Sequence, residues 1–383
     1  MISRLTPRAL SAGVFACFCL LAATDSASAQ TSWQEFSPTS NGPFPADTAM
    51  SFNNNRGGIR YAHPTNTSTV VEIWNLLAAG LPGGPVATFG GSTLKSGSRT
   101  SLLLGPSEYQ PSDRIEMNNV RSLSIGSGVA LGSPGPGDDE TYIELVDMTA
   151  SPMTLQQLVI SPDMTKWAET RAGLTNDLAL TRDGAWGVVN AANHIFVINL
   201  AATSPGTMIH QKFDIGEYDY SIPGSPVVWN RPCTPNHAVD SVVVTNDRAV
   251  VTTARYNPSV TGDTTWVYIV DLSASPMQIV LQHELVPSGA IPDGDLPHDV
   301  AITSDLNGVG QIAVVTTTRM VAAFDLVNNV FLNSTFDARD RRSYQKQVDS
   351  VELTEKHAVV IADHIATTGV QHWTVQVFGL SRV

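Results

Sequence analysis

The sequence predicts an all-β fold, a single β-propeller of six four-stranded blades, and three observations support this prediction. A β-rich segment recurs along the chain, a short apolar strand ending in threonine recurs upstream of most copies, and helical periodicity is weak throughout. A propeller blade cannot bury both of its faces alone. Repetition of one small sheet is therefore the pattern expected of a ring in which neighbouring blades cover one another.

The clearest repeat relates residues 139–153 to residues 263–277. DETYIELVDMTASPM realigns with DTTWVYIVDLSASPM, with eight of fifteen positions identical. The two segments start 124 residues apart, a spacing that suits two propeller blades better than one. Weaker copies that end in Asp or Asn and then Leu occur at Val71 to Leu76, His194 to Leu200 and Met320 to Leu326. The last copy, Trp373 to Leu380, has glycine in place of the Asp or Asn. Six copies predict six blades.

The second recurring element is predicted to form the inner strand of each blade. It occurs at Asp177 to Thr181, Ser241 to Thr245, Asp299 to Thr303 and Ser350 to Thr354. The strand is mostly apolar at consecutive positions, which indicates that both of its faces are buried. An inner strand enclosed between neighbouring blades has that requirement.

The predicted domains are a signal peptide at 1–29 and a propeller at 30–383. The approximate blades are 47–92, 119–160, 175–216, 239–287, 298–337, and 348–383 together with 31–38. Only three strands fit into the last blade, so Thr31 to Pro38 is predicted to supply its fourth strand and to close the ring. Leu94 to Asn118 and Glu217 to His237 fit no repeat and are interpreted as loops or a decaying extra blade. Seven blades are therefore the alternative.

The first residues are typical of a secretory signal peptide. Arg4 and Arg8 precede an apolar run from Ala9 to Ala23, and the small-residue box Ala27-Ser28-Ala29 follows. The apolar run is short for a membrane span and no later segment is a better candidate. The mature protein is expected to be secreted or periplasmic, with no integral membrane segment.

Composition restricts the classes of partner and the means of stabilisation. The chain carries a net charge of −13 and has no basic cluster, which argues against a nucleic acid partner. Cys17 and Cys19 lie in the leader, so Cys233 is left without an intramolecular disulfide partner. The fold must be held together by its core.

Two segments resemble a known class of repeat. Asp299-Val-Ala-Ile-Thr303 and the segment from Trp266 to Pro276 are similar to elements of bacterial secreted propellers with YVTN-type or LVIVD-type repeats. The resemblance implies a ring of antiparallel blades, usually outside the cytoplasm, without shared catalytic residues. It supports the fold, and any function has to be argued from the site.

Strong catalytic motifs are absent from the sequence, so the candidate site follows from propeller geometry. The inner strands of all blades begin around the central channel. Five residues before the inner-strand threonines stand Asn176, Asp240, His298 and Asp349, and the alignment of the second blade adds Arg121. One position later stand Ser122, Asp177, Ser241, Asp299 and Ser350. This ring is suited to binding a cation, clamping a sugar acid or moving a proton. The alternative is that strand starts at a wet channel mouth are polar because water is there.

The catalytic candidates are His298, Arg121, Asp240 and Asp349. In a regular strand the neighbours His298 and Asp299 point to opposite faces. A carboxylate partner for His298 is therefore expected from an adjacent blade, from Asp240 or Asp349.

Two further features are candidates for ligand contacts. Asp293, Asp295 and Asp299 have an acidic spacing that offers oxygen ligands to Ca²⁺, and the alternative is a solvated loop. No other cofactor is predicted. Tyr218 and Tyr220 are interpreted as a sugar-stacking surface, with a loop folded back onto a blade as the alternative.

Two functions are compatible with these features. The first is an exported binding or scaffolding module for a protein or glycan ligand. The second is an enzyme with a central-channel site, most plausibly a polysaccharide lyase or hydrolase. A lyase needs a base and a group that stabilises the charge of the sugar carboxylate, and His298 and Arg121 are the candidates for those roles.

Overall fold

A computed structural model describes the larger part of the blades, and the structural statements below concern the described residues. These are residues 49–52, 56–62, 69–75, 87–90, 114–129, 139–160, 177–191, 194–215, 241–257, 262–286, 297–317, 320–336, 350–354, 357–365 and 371–380. They form β-strands and one short 3-10 turn at Pro205–Thr207. None of the described residues lies in a helix of the length and hydrophobicity needed to cross a membrane.

The strands form six antiparallel sheets that follow one another along the chain. Blade 1 contains β1 (Ala49–Phe52), β2 (Arg56–Ala62), β3 (Thr69–Asn75) and β4 (Ala87–Gly90). Blade 2 contains β5 (Arg114–Met117), β6 (Arg121–Val129), β7 (Asp139–Asp147) and β8 (Thr154–Ile160). Blade 3 contains β9 (Asp177–Leu180), β10 (Trp186–Ala191), β11 (His194–Asn199) and β12 (Ile209–Asp214).

The second half of the chain continues the pattern. Blade 4 contains β13 (Ser241–Val244), β14 (Arg248–Asn257), β15 (Gly262–Asp271) and β16 (Gln278–Leu285). Blade 5 contains β17 (Pro297–Ser304), β18 (Gly310–Thr317), β19 (Met320–Asp325) and β20 (Val330–Phe336). Blade 6 contains β21 (Ser350–Leu353), β22 (His357–Ile365) and β23 (Gln371–Gly379).

Each blade is an up-and-down sheet, and the first strands of successive blades lie side by side. Within every sheet the strands pair in chain order, and the inner strand of each blade contacts the inner strand of the next, from β1 through β5, β9, β13 and β17 to β21. This arrangement is a β-propeller with inner strands around a central axis. The predicted all-β propeller is confirmed, and the described residues form six blades.

Apolar side chains fill the interfaces between consecutive blades. Along an inner strand the side chains alternate between two neighbours, so that Leu178 and Leu180 pack against blade 2 whereas Ala179 packs against blade 4. The described residues form five such cores, one for each consecutive pair of blades from 1–2 to 5–6. The apolar runs of the sequence therefore reflect burial on both faces of each blade.

The recurring threonine closes the turn between the first two strands of a blade. The Thr181 hydroxyl donates to Asp183 Oδ1 over 2.6 Å and accepts a hydrogen bond from the Trp186 N–H over 3.0 Å. Thr245 makes the same pair of contacts in blade 4. The turn leaves main-chain groups without main-chain hydrogen-bond partners, and the threonine hydroxyl bonds them instead. This repeated residue therefore has a structural role.

The recurring Asp-Leu pair ends the third strand. Asp271 Oδ1 accepts the N–H groups of Ser273 and Ala274 over 2.9 and 3.1 Å, and Leu272 is buried at 3% exposure. Turns of the same kind follow Asp147, Asn199 and Asp325. The repeat that identifies the blades is therefore a turn-forming carboxylate or amide followed by a core residue.

Blades 2 and 4 share an arginine that ties each of them to the following blade. Arg121 and Arg248 begin the second strands of these blades, and their Nε atoms donate to the carbonyls of Leu200 and Leu326 over 2.7 and 3.3 Å. Each arginine also pairs with an aspartate at the end of its own third strand. The repeating structural unit therefore spans two blades, in agreement with the 124-residue repeat.

Blades 3 and 5 share a glycine that this packing requires. Gly184 and Gly308 have φ values of +74° and +81° in the turn after the inner strand. A Cβ atom at Gly308 would lie 2.5 Å from Nδ2 of Asn246 in the preceding blade, and one at Gly184 would lie 2.9 Å from Nδ2 of Asn118. Left-handed backbone and close approach together select glycine at these two positions.

Blade 2 differs from the sequence-based prediction. The segment Leu94 to Asn118 was expected to lie outside the repeat, but its last residues form β5, the inner strand of this blade. Arg121 begins the second strand, β6, and not an inner strand. β5, Arg-Ile-Glu-Met, is followed by Asn118 and not by the threonine that ends the other recognised inner strands, so that the sequence alignment falls on the next strand.

Blade 6 has three strands among the described residues, and its outer strand is open. β23 pairs with β22 alone in the described part of the chain, and Val375 and Val377 on β23 are 66% and 62% exposed. The predicted closing strand Thr31 to Pro38 and the predicted signal peptide 1–29 lie outside the described residues. Closure of this sheet stays a prediction.

Deletion of Thr31 to Pro38 tests the closure. We expect the variant to melt at a lower temperature and to self-associate, because an uncovered strand edge loses ladder hydrogen bonds that contribute roughly 1 kcal/mol each and offers a template to other chains. Thermal unfolding with light scattering measures both effects. An unchanged melting temperature in a monomeric variant would contradict closure by this segment.

The arginine between blades 4 and 5 gives a second prediction. The Arg248 side chain is 11% exposed and pairs with Asp247 and Asp271 over 3.2 and 2.9 Å. Arg248→Met should lower the free energy of unfolding by about 2 kcal/mol, since both carboxylates would keep their burial and lose their counter-charge. Urea unfolding measures the loss. Arg182→Met, at an exposed turn position, is the matched control and should change stability by less than about 0.5 kcal/mol.

His283 lies in the interface of blades 4 and 5, and its burial predicts that the stability of the fold depends on pH. His283 stacks on Phe331 with ring centroids 4.3 Å apart and meets Phe324 edge-on. Burial lowers the pKa of His283 below its ordinary value of about 6.5, and Glu284 partly opposes that shift. Between the lowered pKa and 6.5 the unfolded chain binds more protons, so this group makes stability rise with pH across that window and fall on acidification.

The test is urea unfolding of wild-type protein and His283→Gln at about pH 7 and about pH 5. We expect the variant to lose less stability on acidification than the wild type. His357→Gln, at an exposed position, is the control. Equal losses in the wild type and in His283→Gln would show that His283 carries no part of the pH dependence.

Candidate functional site

The inner strands begin at one end of the propeller, which we call the channel mouth. Asp177 Oδ2 accepts the Val242 N–H over 2.9 Å, and Asp299 Oδ2 accepts the Val351 N–H over 3.0 Å. In both cases the first part of one inner strand bonds the first part of the next, so these strands run in the same direction. In blades 3 to 6 the predicted residues that the structure describes at or near these strand starts are Asp177, Ser241, Asp299 and Ser350, while the inner strands of blades 1 and 2 begin at Ala49 and Arg114.

The opposite end is tied together by the turns between first and second strands. The Asp183 N–H donates to Asn246 Oδ1 over 3.0 Å, and the Asn246 N–H donates to the Gly308 carbonyl over 3.0 Å. The Gly310 N–H donates to Asp247 Oδ1 over 2.7 Å. Polar groups at this end are therefore engaged in joining blades, and the channel mouth is the better candidate for ligand contacts.

Asp177 and Asp299, two of the residues predicted to bind a ligand, stand at the mouth and have structural contacts as well. Besides its bond to Val351, Asp299 accepts its neighbour's N–H, that of Val300, over 2.9 Å. Both aspartates are half-buried, so a part of each side chain remains accessible. Each carboxylate joins blades and also presents acceptor surface at the mouth.

His298 lies in an irregular part of its strand. In the pairing of β17 with β18, Pro297 opposes Thr317 and Asp299 opposes Thr316, which leaves His298 as the extra residue of a β-bulge. The prediction that His298 and Asp299 point to opposite faces assumes a regular strand, which this part of β17 is not, and it stays a prediction. Bulges are enriched beside functional sites, which keeps His298 as a candidate.

Arg121 does not belong to the channel mouth. It forms an ion pair with Asp147 and donates to the Leu200 carbonyl at the end where second strands begin. Burial opposes ionisation of Asp147, but hydrogen bonds from Thr149 and the charge of Arg121 outweigh it and lower the pKa of Asp147. Ser122, which shared this alignment, is a buried residue of β6. Both assignments to an inner-strand start are wrong because β5 precedes them.

The remaining predicted site residues lie outside the described part of the chain. They are Asn176, Tyr218, Tyr220, Asp240, Asp293, Asp295 and Asp349. Their roles stay predictions. Among the described residues, no group of three or more His, Cys, Asp or Glu side chains is arranged to hold a metal ion.

The structure adds a layer of buried polar residues directly behind the mouth. Asn190, Thr252 and Thr316 lie on the second strands of blades 3, 4 and 5, and each is fully buried. They are the cross-strand partners of Asp177, Ser241 and Asp299 respectively. A signal for them exists in the sequence, because each follows a Val-Val pair and is the first polar residue after it.

Comparison with known proteins assigns no family and no activity to this chain. No protein-family model matches the sequence, and no curated protein matches it either. Solved structures match over most of the chain. Hydrazine synthase of Kuenenia stuttgartiensis is 11% identical with a TM-score of 0.42, and the match covers 87% of this chain and 83% of that one.

Two further solved structures are similar to this chain, also at low sequence identity. The β-propeller domain of the Trilobed protease from Pyrococcus furiosus, described as having an open velcro topology, is 8% identical with a TM-score of 0.40, covering 89% of this chain and 85% of that one. Hsv2p of Kluyveromyces lactis is 10% identical with a TM-score of 0.39, covering 90% and 75%. Similarity this low does not transfer any activity. The chain is a β-propeller, and its strand pairing is the evidence for that statement.

Proposed function

We propose that this protein is an exported binding module whose ligand, a glycan, occupies the channel mouth. The supporting observation is the convergence of inner-strand starts, which brings Asp177, Ser241, Asp299 and Ser350 to one end while the other end is tied by turn-to-turn hydrogen bonds. Export is inferred from the N-terminal leader.

The chemistry of the mouth favours ligands rich in hydrogen-bond donors. Its described side chains include the half-buried carboxylates of Asp177 and Asp299, on blades 3 and 5, and the buried hydroxyl of Ser241, on blade 4. Carboxylates only accept hydrogen bonds when ionised, whereas hydroxyls both donate and accept. Sugar hydroxyls match such a ring, and a protein ligand that presents lysine or backbone N–H groups is the competing outcome of the test.

The lyase alternative receives no support from the described geometry. Its mechanism needs a base and a cation near the same sugar carboxylate. His298 lies in the strand that begins at the mouth, whereas Arg121 is at the opposite end of the blade and is paired with Asp147. We therefore do not propose catalysis by this pair.

The decisive experiment is a glycan array followed by calorimetric titration of the best-bound glycan. His298→Ala, Asp240→Ala and Asp349→Ala should each weaken binding at least about tenfold, and should change the free energy of unfolding by less than about 0.5 kcal/mol, because accessible polar groups contribute little to stability. Melting temperatures verify that the fold is intact.

The control is a double variant, Tyr218→Ala with Tyr220→Ala. If binding is lost in this variant and retained in the three mouth variants, the ligand site lies on the tyrosine segment and the channel-mouth proposal fails. If no glycan binds while a purified protein partner does, the glycan assignment fails and the same variants locate the protein site.

A further inference from the structure

The side-chain amide of Asn190 is buried where blade 3 meets blade 4. Asn190 is fully buried, and its Nδ2 donates to the Thr252 carbonyl of blade 4 over 3.4 Å. That contact sets the orientation of the amide, because the flipped orientation would place two acceptor oxygens against each other. Its Oδ1 is buried and accepts no hydrogen bond within the described part of the chain.

The surroundings of this amide oxygen are rich in oxygen atoms. Asn190 stands directly opposite Asp177 in the pairing of β10 with β9, so the two side chains share a face with Cβ atoms about 5 Å apart. Both reach towards blade 4, Asn190 to Thr252 and Asp177 to the Val242 N–H. There Ser241 and Thr252 form a buried cross-strand pair.

The side-chain amide and two main-chain N–H donors at this position are already used. Asn190 Nδ2 is bonded to a carbonyl, the Val242 N–H to Asp177, and the Ser241 N–H to Thr252 Oγ1 over 3.3 Å. The Asn190 oxygen remains as a buried acceptor, a situation that is unfavourable unless a donor or a positive charge is present. A half-buried carboxylate directly beside it favours a positive charge.

We propose that a hard cation binds between blades 3 and 4, held by the Asn190 amide oxygen and the Asp177 carboxylate. Ca²⁺ takes such oxygen ligands and completes its shell with hydroxyls, carbonyls and water. Ser241 and Thr252 supply neutral oxygens at the same interface. With one carboxylate the affinity belongs in the millimolar range, as in extracellular calcium modules. The site lies behind the channel mouth, uses none of the predicted Ca²⁺ ligands Asp293, Asp295 and Asp299, and does not depend on the proposed glycan.

In blade 5, Thr316 and Asp299 occupy the positions that Asn190 and Asp177 occupy in blade 3, but no amide oxygen without a hydrogen bond is present at that pair. Thr316 replaces Asn190, and its hydroxyl donates to the Asp299 carbonyl over 3.3 Å. Both carboxylate oxygens of Asp299 accept main-chain N–H groups, those of Val300 and Val351. The interface of blades 5 and 6 therefore serves as an internal control, and Asn190→Thr transfers its arrangement to blade 3.

The experiment measures Ca²⁺ binding to the full chain by equilibrium dialysis with metal analysis, and melting temperatures with about 10 mM Ca²⁺ or with chelator. The wild type should bind a single Ca²⁺ and melt about 2 °C higher with the ion, the shift expected when the ion is at roughly ten times its Kd. Mg²⁺ and Na⁺ arms identify the preferred cation. Asn190→Thr should abolish both effects, and Asp299→Asn should retain them.

A gain-of-affinity variant keeps the test decisive if Asn190→Thr folds poorly. Asn190→Asp adds a second carboxylate at the same place and should tighten Ca²⁺ binding at least about tenfold, with a larger melting shift. Two results would overturn the proposal. One is a wild type that binds none of the three cations at millimolar concentration. The other is an Asn190→Asp variant whose stability does not respond to Ca²⁺. Either would assign the Asn190 oxygen to a buried water.

Discussion

The need to bury both faces of every blade governs this structure. A blade of four short strands has two apolar faces and no core of its own, so its stability comes from contact with two neighbours. The alternation of Leu178 and Ala179 between two interfaces shows this at the scale of single residues. The buried side chains between blades are therefore mostly apolar, and the fewer buried polar ones, such as Asn190, Thr252 and Thr316, need partners within the fold.

The two ends use polar groups in different ways. At the turn end, side chains bond the main chain of the next blade, as Asn246 does with blade 5, and glycines at 184 and 308 make room for the contact. At the mouth, Asp177 and Asp299 also bond the next blade but remain partly accessible. The contacts between blades and the proposed ligand binding use the same carboxylates, so variants of these two aspartates test stability and binding together. His298, which lies on a bulge, is the cleaner probe of binding.

The alternation of blade types explains why the sequence repeat is longer than one blade. Arg121 and Arg248 reach from blades 2 and 4 into blades 3 and 5, where the acceptors are carbonyls that follow the third strand. Because every residue has a main-chain carbonyl, this contact cannot be recognised from the residue types in the sequence. The turn glycine can be recognised, because its positive φ and its missing Cβ accommodate the preceding blade. The same two-blade period places Asp at the mouth of blades 3 and 5 and Ser at the mouth of blades 4 and 6.

The sequence by itself determined the all-β class, the six repeats and the inner strands of blades 3 to 6, because burial on two faces and turn-forming residues are local properties that a pattern of residue types records. It could not place β5, which lacks the threonine that ends the recognised inner strands, and it consequently assigned Arg121 to the wrong end of blade 2. Only the tertiary structure decided which polar groups meet across blades. The contact of Asn190 with Thr252 and that of Asp177 with Val242 join residues more than sixty positions apart, and such pairing depends on the register between blades, which no local pattern encodes.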